Sequence, residues 1–262
     1  MTSEPGKGSG RAAFFDVDET LITVKSMFHF LEFYLDEQGE PPSTYHRLTA
    51  ELHRMAAAGT PRQHVNRHYY GFFAGHSEQR LARAGRDWFD RQLASGGLFV
   101  PEPVARLAGH VRAGDFVMLL SGSFFACLDP IAEHLGAHWA MGTRPRVRRG
   151  VLTGEVLAPM IGAAKGRAAR ATMAVRGLDP AWCSAYGDHS SDLDLLLSVG
   201  RPVVVGSDTV LTGYAARDGW ERIASDRLAP AVPAPRQAVT PAAVTTLAAA
   251  HHGLTAAPSQ EV

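Results

Sequence analysis

Asp16 and Asp18 stand two residues apart at the end of an apolar run, Ala12-Ala13-Phe14-Phe15. Residues two apart on an extended chain project to the same side, so the pair is spaced for joint acid–base or nucleophilic work. Much further along, Leu119-Leu120 leads into the turn Ser121-Gly122-Ser123, and Ala185-Tyr186-Gly187 leads into Asp188, with Asp192 following. Open α/β sheets bind ligands outside the carboxyl ends of their strands. If these apolar runs are neighbouring strands, the carboxylates meet in one crevice beside a hydroxyl–glycine turn. So many carboxylates together would repel and raise one another's pKa. A divalent cation relieves that repulsion, and an oxygen-only donor set without His or Cys favours Mg²⁺.

The elements that would position these groups are legible in outline. Short apolar runs at 12–17, 116–121, 183–188 and 202–206 read as buried strands. Helix-like stretches at 126–135, 163–175 and 191–199 separate them. Strand alternating with helix predicts a doubly wound α/β fold with a parallel sheet and helices on both faces. Residues 139–142 could add one more strand. Arg149-Gly150, between Val147 and Val151-Leu152, reads as a hairpin turn on an appendage to the core. From about 26 to 114 the strand signal is missing. Met27, Phe28, Phe30, Leu31, Tyr34 and Leu35 share a broad helical face, Thr60-Pro61 reads as a cap and first helical position, and further helices are expected over 77–93 and 102–113, the last stopped by Gly114. A helical block is therefore inserted after the first strand. Beyond about 228 the chain turns Ala/Pro-rich, with a short helix possible over 242–251.

Composition narrows the class. The chain has 262 residues, with 26 basic and 26 acidic side chains and a formal net charge of +0, so no global basic field invites nucleic acid. No window approaches the roughly 18–20 apolar residues of a spanning helix, and residues 1–10 lack the apolar stretch of a signal peptide. The expected protein is cytoplasmic, acts on a small molecule and uses no membrane; its oligomeric state is open. Cys127 and Cys183 have no metal or redox spacing and read as small buried hydrophobes. Lysine occurs only at 7, 25 and 165, which singles out Lys25 and Lys165. His64 and His68 have metal-compatible spacing but no third ligand. Arg144, Arg146, Arg148 and Arg149 read as a solvated basic face.

Asp16-Val17-Asp18-Glu19-Thr20-Leu21 resembles the first motif of the haloacid dehalogenase (HAD) superfamily. Leu119-Leu120-Ser121-Gly122-Ser123-Phe124 resembles the second, Lys165 the third, and Tyr186-Gly187-Asp188-His189-Ser190-Ser191-Asp192-Leu193 the fourth, all in order. The helical insert after the first motif is similar to that of the C1-capped members. Within them, the Ser-Gly-Ser turn and the Thr143…Gly150…Thr153-Gly154 hairpin resemble the subfamily IB, phosphoserine phosphatase-like hydrolases. The resemblance implies a Rossmann-like core at 12–24 and 115–227, a helical cap at 25–114, a disordered 1–11 and a C-terminal tail at 228–262. It also implies Mg²⁺-dependent hydrolysis of a small phosphate monoester. Asp16 would form an aspartyl-phosphate and Asp18 would act as acid and then base. Ser121 and the Gly122 N–H would hold phosphate oxygens, and Lys165 would neutralise charge. Asp16, Asp188 and the Asp18 carbonyl would ligate Mg²⁺, with Asp192 in support. A phosphotransferase or mutase on the same intermediate, and a non-catalytic binding protein on the same fold, are the alternatives.

Three positions depart from the common pattern and are candidates for substrate specificity. Glu19 stands where small residues are commoner, and it either points to solvent or meets a cationic or hydroxyl-rich leaving group. His189 either touches the substrate or lines its loop. Lys25 matches the place, nine residues after the nucleophile, where phosphoserine phosphatases carry a glutamate for the substrate's amino group. A lysine there would repel an ammonium and favour an anion or hydroxyl, unless Lys25 is a surface residue at the start of the cap.

Overall fold

The first apolar run forms β1 (Ala12–Phe15), all four residues buried, at the centre of a parallel sheet. A computed structural model of the chain describes residues 10–224; the expectations for residues 1–9, the Ala/Pro-rich tail and the 242–251 helix lie outside the described residues. The other strands of the sheet are β2 (Phe116–Ser121), β3 (Trp139–Gly142), and, after the hairpin β4 (Arg144–Arg148) and β5 (Val151–Ala158), β6 (Ser184–Gly187), β7 (Arg201–Val205) and β8 (Glu221–Ile223). Their order is β3-β2-β1-β6-β7-β8. The chain steps outward from β1 on one side through β2 and β3, then returns to the other side at β6. The reversal at β1 opens a crevice at its carboxyl end.

Alternation along β1 divides the core in two. Ala13 and Phe15 join one cluster with Val117, Leu119 and Tyr186, while Ala12 and Phe14 join another with Met118, Leu120 and Ala185. The second face is covered by α7 (Ala163–Arg176), α8 (Leu193–Leu196) and α9 (Thr209–Asp218), through Ala169, Met173, Leu195, Leu196, Leu211 and Ala215. The first is covered by α5 (Pro101–Arg112) and α6 (Phe125–Leu135), through Leu107, Cys127 and Ile131.

Between β1 and β2 the chain is helical: α1 (Ser26–Glu37), α2 (Pro42–Ala57), α3 (Arg62–Gly71) and α4 (Glu78–Ser95) precede α5. Phe30, Tyr70 and Phe73 of this layer close around Phe124, with ring centroids 5.5, 5.2 and 5.5 Å away. Phe124 follows the Ser121-Gly122-Ser123 turn directly, so the helical layer is anchored beside that turn. Gly85 of α4 lies against the α6 backbone, where an added Cβ would sit 1.9 Å from the Ala126 carbonyl oxygen.

Several expectations need correction. Pro61, not Thr60, occupies the cap position of α3: its backbone is extended, and its carbonyl accepts from His64 N at 2.8 Å. The helix expected over 191–199 is a short 3₁₀ turn at Ser190–Asp192 followed by one turn of α8, because the His189 ring accepts from Ser191 N while the Asp192 carboxylate accepts from His189 N. The hairpin is no mere appendage to the core. Gly75 N donates to Leu152 O at 2.8 Å, Leu152 N to His76 O at 2.9 Å and Glu78 N to Gly150 O at 2.9 Å, which pins β5 to the α3–α4 loop. Its tip does turn at Arg149-Gly150, both at positive φ, which matches the twist of the paired strands. Helices α2 and α9 and strand β8 were not anticipated.

Gly85→Ala should destabilise the protein by about 2–3 kcal/mol, because a methyl there must push α4 off α6. Chemical unfolding measures it, and wild-type stability would mean that the contact yields freely.

Candidate active site

Asp16 leaves the end of β1 with its backbone N–H donating to Tyr186 O at 2.9 Å, so β1 and β6 fix its position together. The residue is buried, 5% exposed. Lys165, near the start of α7, reaches across to it. The ammonium donates to Asp16 Oδ1 and, at 2.6 Å, to Asp192 Oδ1. Burial works to discharge Lys165, but the Asp16 and Asp192 charges outweigh it and hold the pKa above its ordinary value, so the lysine stays protonated.

Asp192 is committed on both oxygens, because Oδ2 accepts from His189 N at 3.3 Å. Asp188 lies alongside. Thr20 Oγ1 is 2.9 Å from Asp188 Oδ1 and 3.3 Å from Asp16 Oδ2, so one hydroxyl bridges the two carboxylates. Burial, then the charges of Asp16 and Asp192, drive the Asp188 carboxyl well above the usual carboxylate range. Carboxyl oxygens of Asp16, Asp188 and Asp192 lie within 4.8 Å of one another. One ammonium thus faces three carboxylates, and the surplus negative charge on oxygen donors fits a hard divalent cation.

Asp18 is part-exposed as a residue, yet its Oδ1 is closed to solvent and has no hydrogen-bond partner. Burial first, and the Asp16 charge second, push this carboxyl up to about 7, against the hydrogen bonding of Ser26. Ser121, at the end of β2 and 1% exposed, accepts from Ser123 N at 3.0 Å. Gly122 follows, its Cα facing the Ile161 side chain.

The three specificity candidates do not converge on the carboxylates. Glu19 has φ +64°, the left-handed region, and pairs with Lys25 at 3.4 Å. The Lys25 side chain is 56% exposed. The His189 ring caps the Ser190–Asp192 turn by accepting from Ser191 N at 3.0 Å, and Arg62 of α3 lies 2.8 Å from its Nε2. Burial and the Arg62 charge hold that imidazole below its ordinary pKa. Among the described residues, His64 and His68 join no group of metal-ligand type; His68 meets Glu51 at 2.8 Å. Thr20 is marked in the sequence by its place inside the first motif, whereas nothing in the sequence marks Arg62, Asn66 or Tyr70, which the tertiary fold brings in from α3.

A family model described as haloacid dehalogenase-like hydrolase matches residues 13–197. The chain is 30% identical over 221 residues to a Mycobacterium tuberculosis protein named phosphoserine phosphatase SerB1, covering 80% of this chain and 69% of that one. It is 30% identical over 246 residues to another, named "Probable phosphatase Rv3661", covering 91% and 83%. Among solved structures, a Bordetella pertussis Tohama I protein of unknown function superposes with a TM-score of 0.74 at 24% identity, over 83% of this chain and 99% of that one.

Glu19→Gly should stabilise the protein by about 1 kcal/mol, since a non-glycine residue is strained at positive φ and an exposed ion pair such as Glu19–Lys25 returns little. A rise in the urea midpoint checks this; a fall would mean that the contacts of Glu19 outweigh its strain.

Proposed function

The chain belongs to the haloacid dehalogenase-like hydrolase family, and from that premise we propose that it hydrolyses a small, soluble phosphate monoester through an aspartyl-phosphate on Asp16, with Mg²⁺ as cofactor. The cluster of Asp16, Lys165, Asp188 and Asp192 is the observation that carries the reading, and Asp18 supports it. A general acid works best with a pKa near the operating pH, and Asp18, beside the nucleophile, is pushed up to about 7. Its solvent-closed, unpartnered Oδ1 suits a group that meets its partner only when a substrate arrives.

In the first step the Asp16 carboxylate attacks phosphorus, the bond from phosphorus to the ester oxygen breaks, and Asp18 gives its proton to the departing oxygen. In the second, Asp18 takes a proton from water, the water oxygen attacks phosphorus, and the bond to Asp16 breaks. Phosphate leaves and both side chains are restored. Lys165, held between Asp16 and Asp192, offsets charge on the nucleophile and the moving phosphoryl group. The Ser121 hydroxyl and the Gly122 N–H hold phosphoryl oxygens. Asp16, Asp188 and the Asp18 carbonyl are the groups to hold Mg²⁺, and Asp192 supports them by orienting Lys165 and the His189 backbone. When bound, the ion supplies Lewis-acid stabilisation of phosphoryl charge.

Helices α1 to α4 act as a cap that excludes bulk water and selects the leaving group, whereas α5, expected in the cap, packs on the sheet through Leu107. SerB1 is named for phosphoserine. Here Lys25 pairs with Glu19 at 3.4 Å, and Arg62 of α3 lies 2.8 Å from His189 Nε2. These cations favour a leaving group bearing an anion or hydroxyls over one bearing an ammonium.

Phosphate release from a panel of small monoesters tests the class. Asp16→Asn, or removal of divalent cations with EDTA, should each lower turnover at least about a thousandfold while the far-UV circular dichroism is unchanged. Release that survives both removes Asp16 and the metal from the reaction. Lys25→Glu should shift kcat/KM toward amino-bearing esters by about two- to fivefold, the scale of an exposed ion pair. An unaltered profile would return Lys25 to the surface.

A further inference from the structure

The carbonyl oxygen of Gly122 is held from the helical layer. Asn66 Nδ2 donates to it at 2.9 Å and the Tyr70 hydroxyl at 3.0 Å. Both residues lie on α3 and are buried, 4% and 0% exposed. The orientation of the Asn66 amide is itself determined. Met160 N donates to Thr143 Oγ1 at 3.1 Å, so the Thr143 hydroxyl proton is free to go to Asn66 Oδ1, 3.2 Å away. With Oδ1 taken as acceptor, Nδ2 must face Gly122.

That carbonyl shares a peptide plane with the N–H of Ser123, which donates to Ser121 Oγ at 3.0 Å. The Ser123 carbonyl in turn accepts from Thr143 N at 2.7 Å. The turn is therefore gripped from inside by its own serine and from outside by α3 and Thr143. Packing alone does not require this. Phe124 already anchors the segment in the aromatic cluster, and apolar side chains at 66 and 70 would leave the Gly122 carbonyl without either donor.

We propose that Asn66 and Tyr70 are positioning residues of the phosphate-binding turn. They set the Gly122 peptide so that Ser121 and Gly122 are aligned for a phosphoryl group, and they make that alignment depend on α3 being docked. Neither touches the substrate; both act through Gly122. This rests on the phosphatase reading above.

The test compares Tyr70→Phe and Asn66→Asp with Tyr69→Phe. Tyr69 also lies buried on α3 and donates its hydroxyl to a backbone carbonyl, that of Met27 at 2.6 Å, rather than to Gly122. The readouts are hydrolysis of p-nitrophenyl phosphate with Mg²⁺, inhibition by inorganic phosphate, and Tm. Tyr70→Phe should raise KM and the phosphate inhibition constant in parallel by about fivefold, the scale of one hydrogen bond. Asn66→Asp, which sets a carboxylate against the carbonyl, should raise both further. Tyr69→Phe should lower Tm and leave both constants alone. Lower Tm with unmoved constants in the Tyr70 and Asn66 variants would overturn the proposal. If Asn66→Asp does not fold, Tyr70→Phe decides alone. A wild type that hydrolyses nothing would sink the phosphatase reading. Calorimetric binding of inorganic phosphate would then decide the positioning role without turnover: weaker binding in Tyr70→Phe supports it, while equal binding, or none by the wild type, overturns it.

Discussion

A buried ammonium is tolerable only where opposite charge surrounds it. Lys165, 4% exposed, would lose its proton or its place without Asp16 and Asp192, since removing one partner of a buried pair costs about 3–5 kcal/mol. The requirement ties together three parts of the chain that are far apart in sequence: the end of β1, the start of α7 and the turn before α8. Asp188 and Thr20 then complete the cluster. The pair is also what leaves the site short of positive charge, because one ammonium cannot balance three close carboxylates. The stabilising interaction and the fit to a hard cation are two consequences of one arrangement.

The helical layer is joined to this centre by two kinds of contact. Apolar contact comes first: Phe124, next to the Ser-Gly-Ser turn, is enclosed by Phe30, Tyr70 and Phe73, and Gly85 lets α4 approach α6 without a side chain between them. Polar contact is more selective. Asn66 and Tyr70 meet on the Gly122 carbonyl, Thr143 orients Asn66, and the β4–β5 hairpin is bonded to the loop after α3. Apolar burial supplies adhesion with little direction, whereas buried hydrogen bonds demand one geometry. The turn thus takes its peptide orientation from the helical layer, although it follows directly on strand β2.

Much of this was legible in the residues, for identifiable reasons. Buried parallel strands read as unbroken apolar runs, which is why β1, β2, β6 and β7 were found within one or two residues of their ends. Strand β8 was missed because Glu221-Arg222-Ile223 carries charge at a sheet edge. Helix α2 was missed because only Thr49 and Leu52 of it are buried, so its apolar stripe is thin. At Thr60-Pro61 a helix start was visible, but the residue whose carbonyl opens the helix is settled by backbone geometry.

The sequence by itself determined the parallel α/β class, the helical insertion and the identity of the acids and the turn, because spacing along an apolar strand dictates which residues stand at its end, while the lysine on α7 is marked by the scarcity of its type and by its place in the motif order. Only the tertiary structure decided how they divide their bonds: Asp192 given to Lys165 and a backbone N–H, Thr20 shared between two carboxylates, Lys25 turned to Glu19, Gly122 held by α3. Those choices follow from distances between segments remote in the chain, and a hydrogen bond or a desolvated charge depends on such distances rather than on residue type.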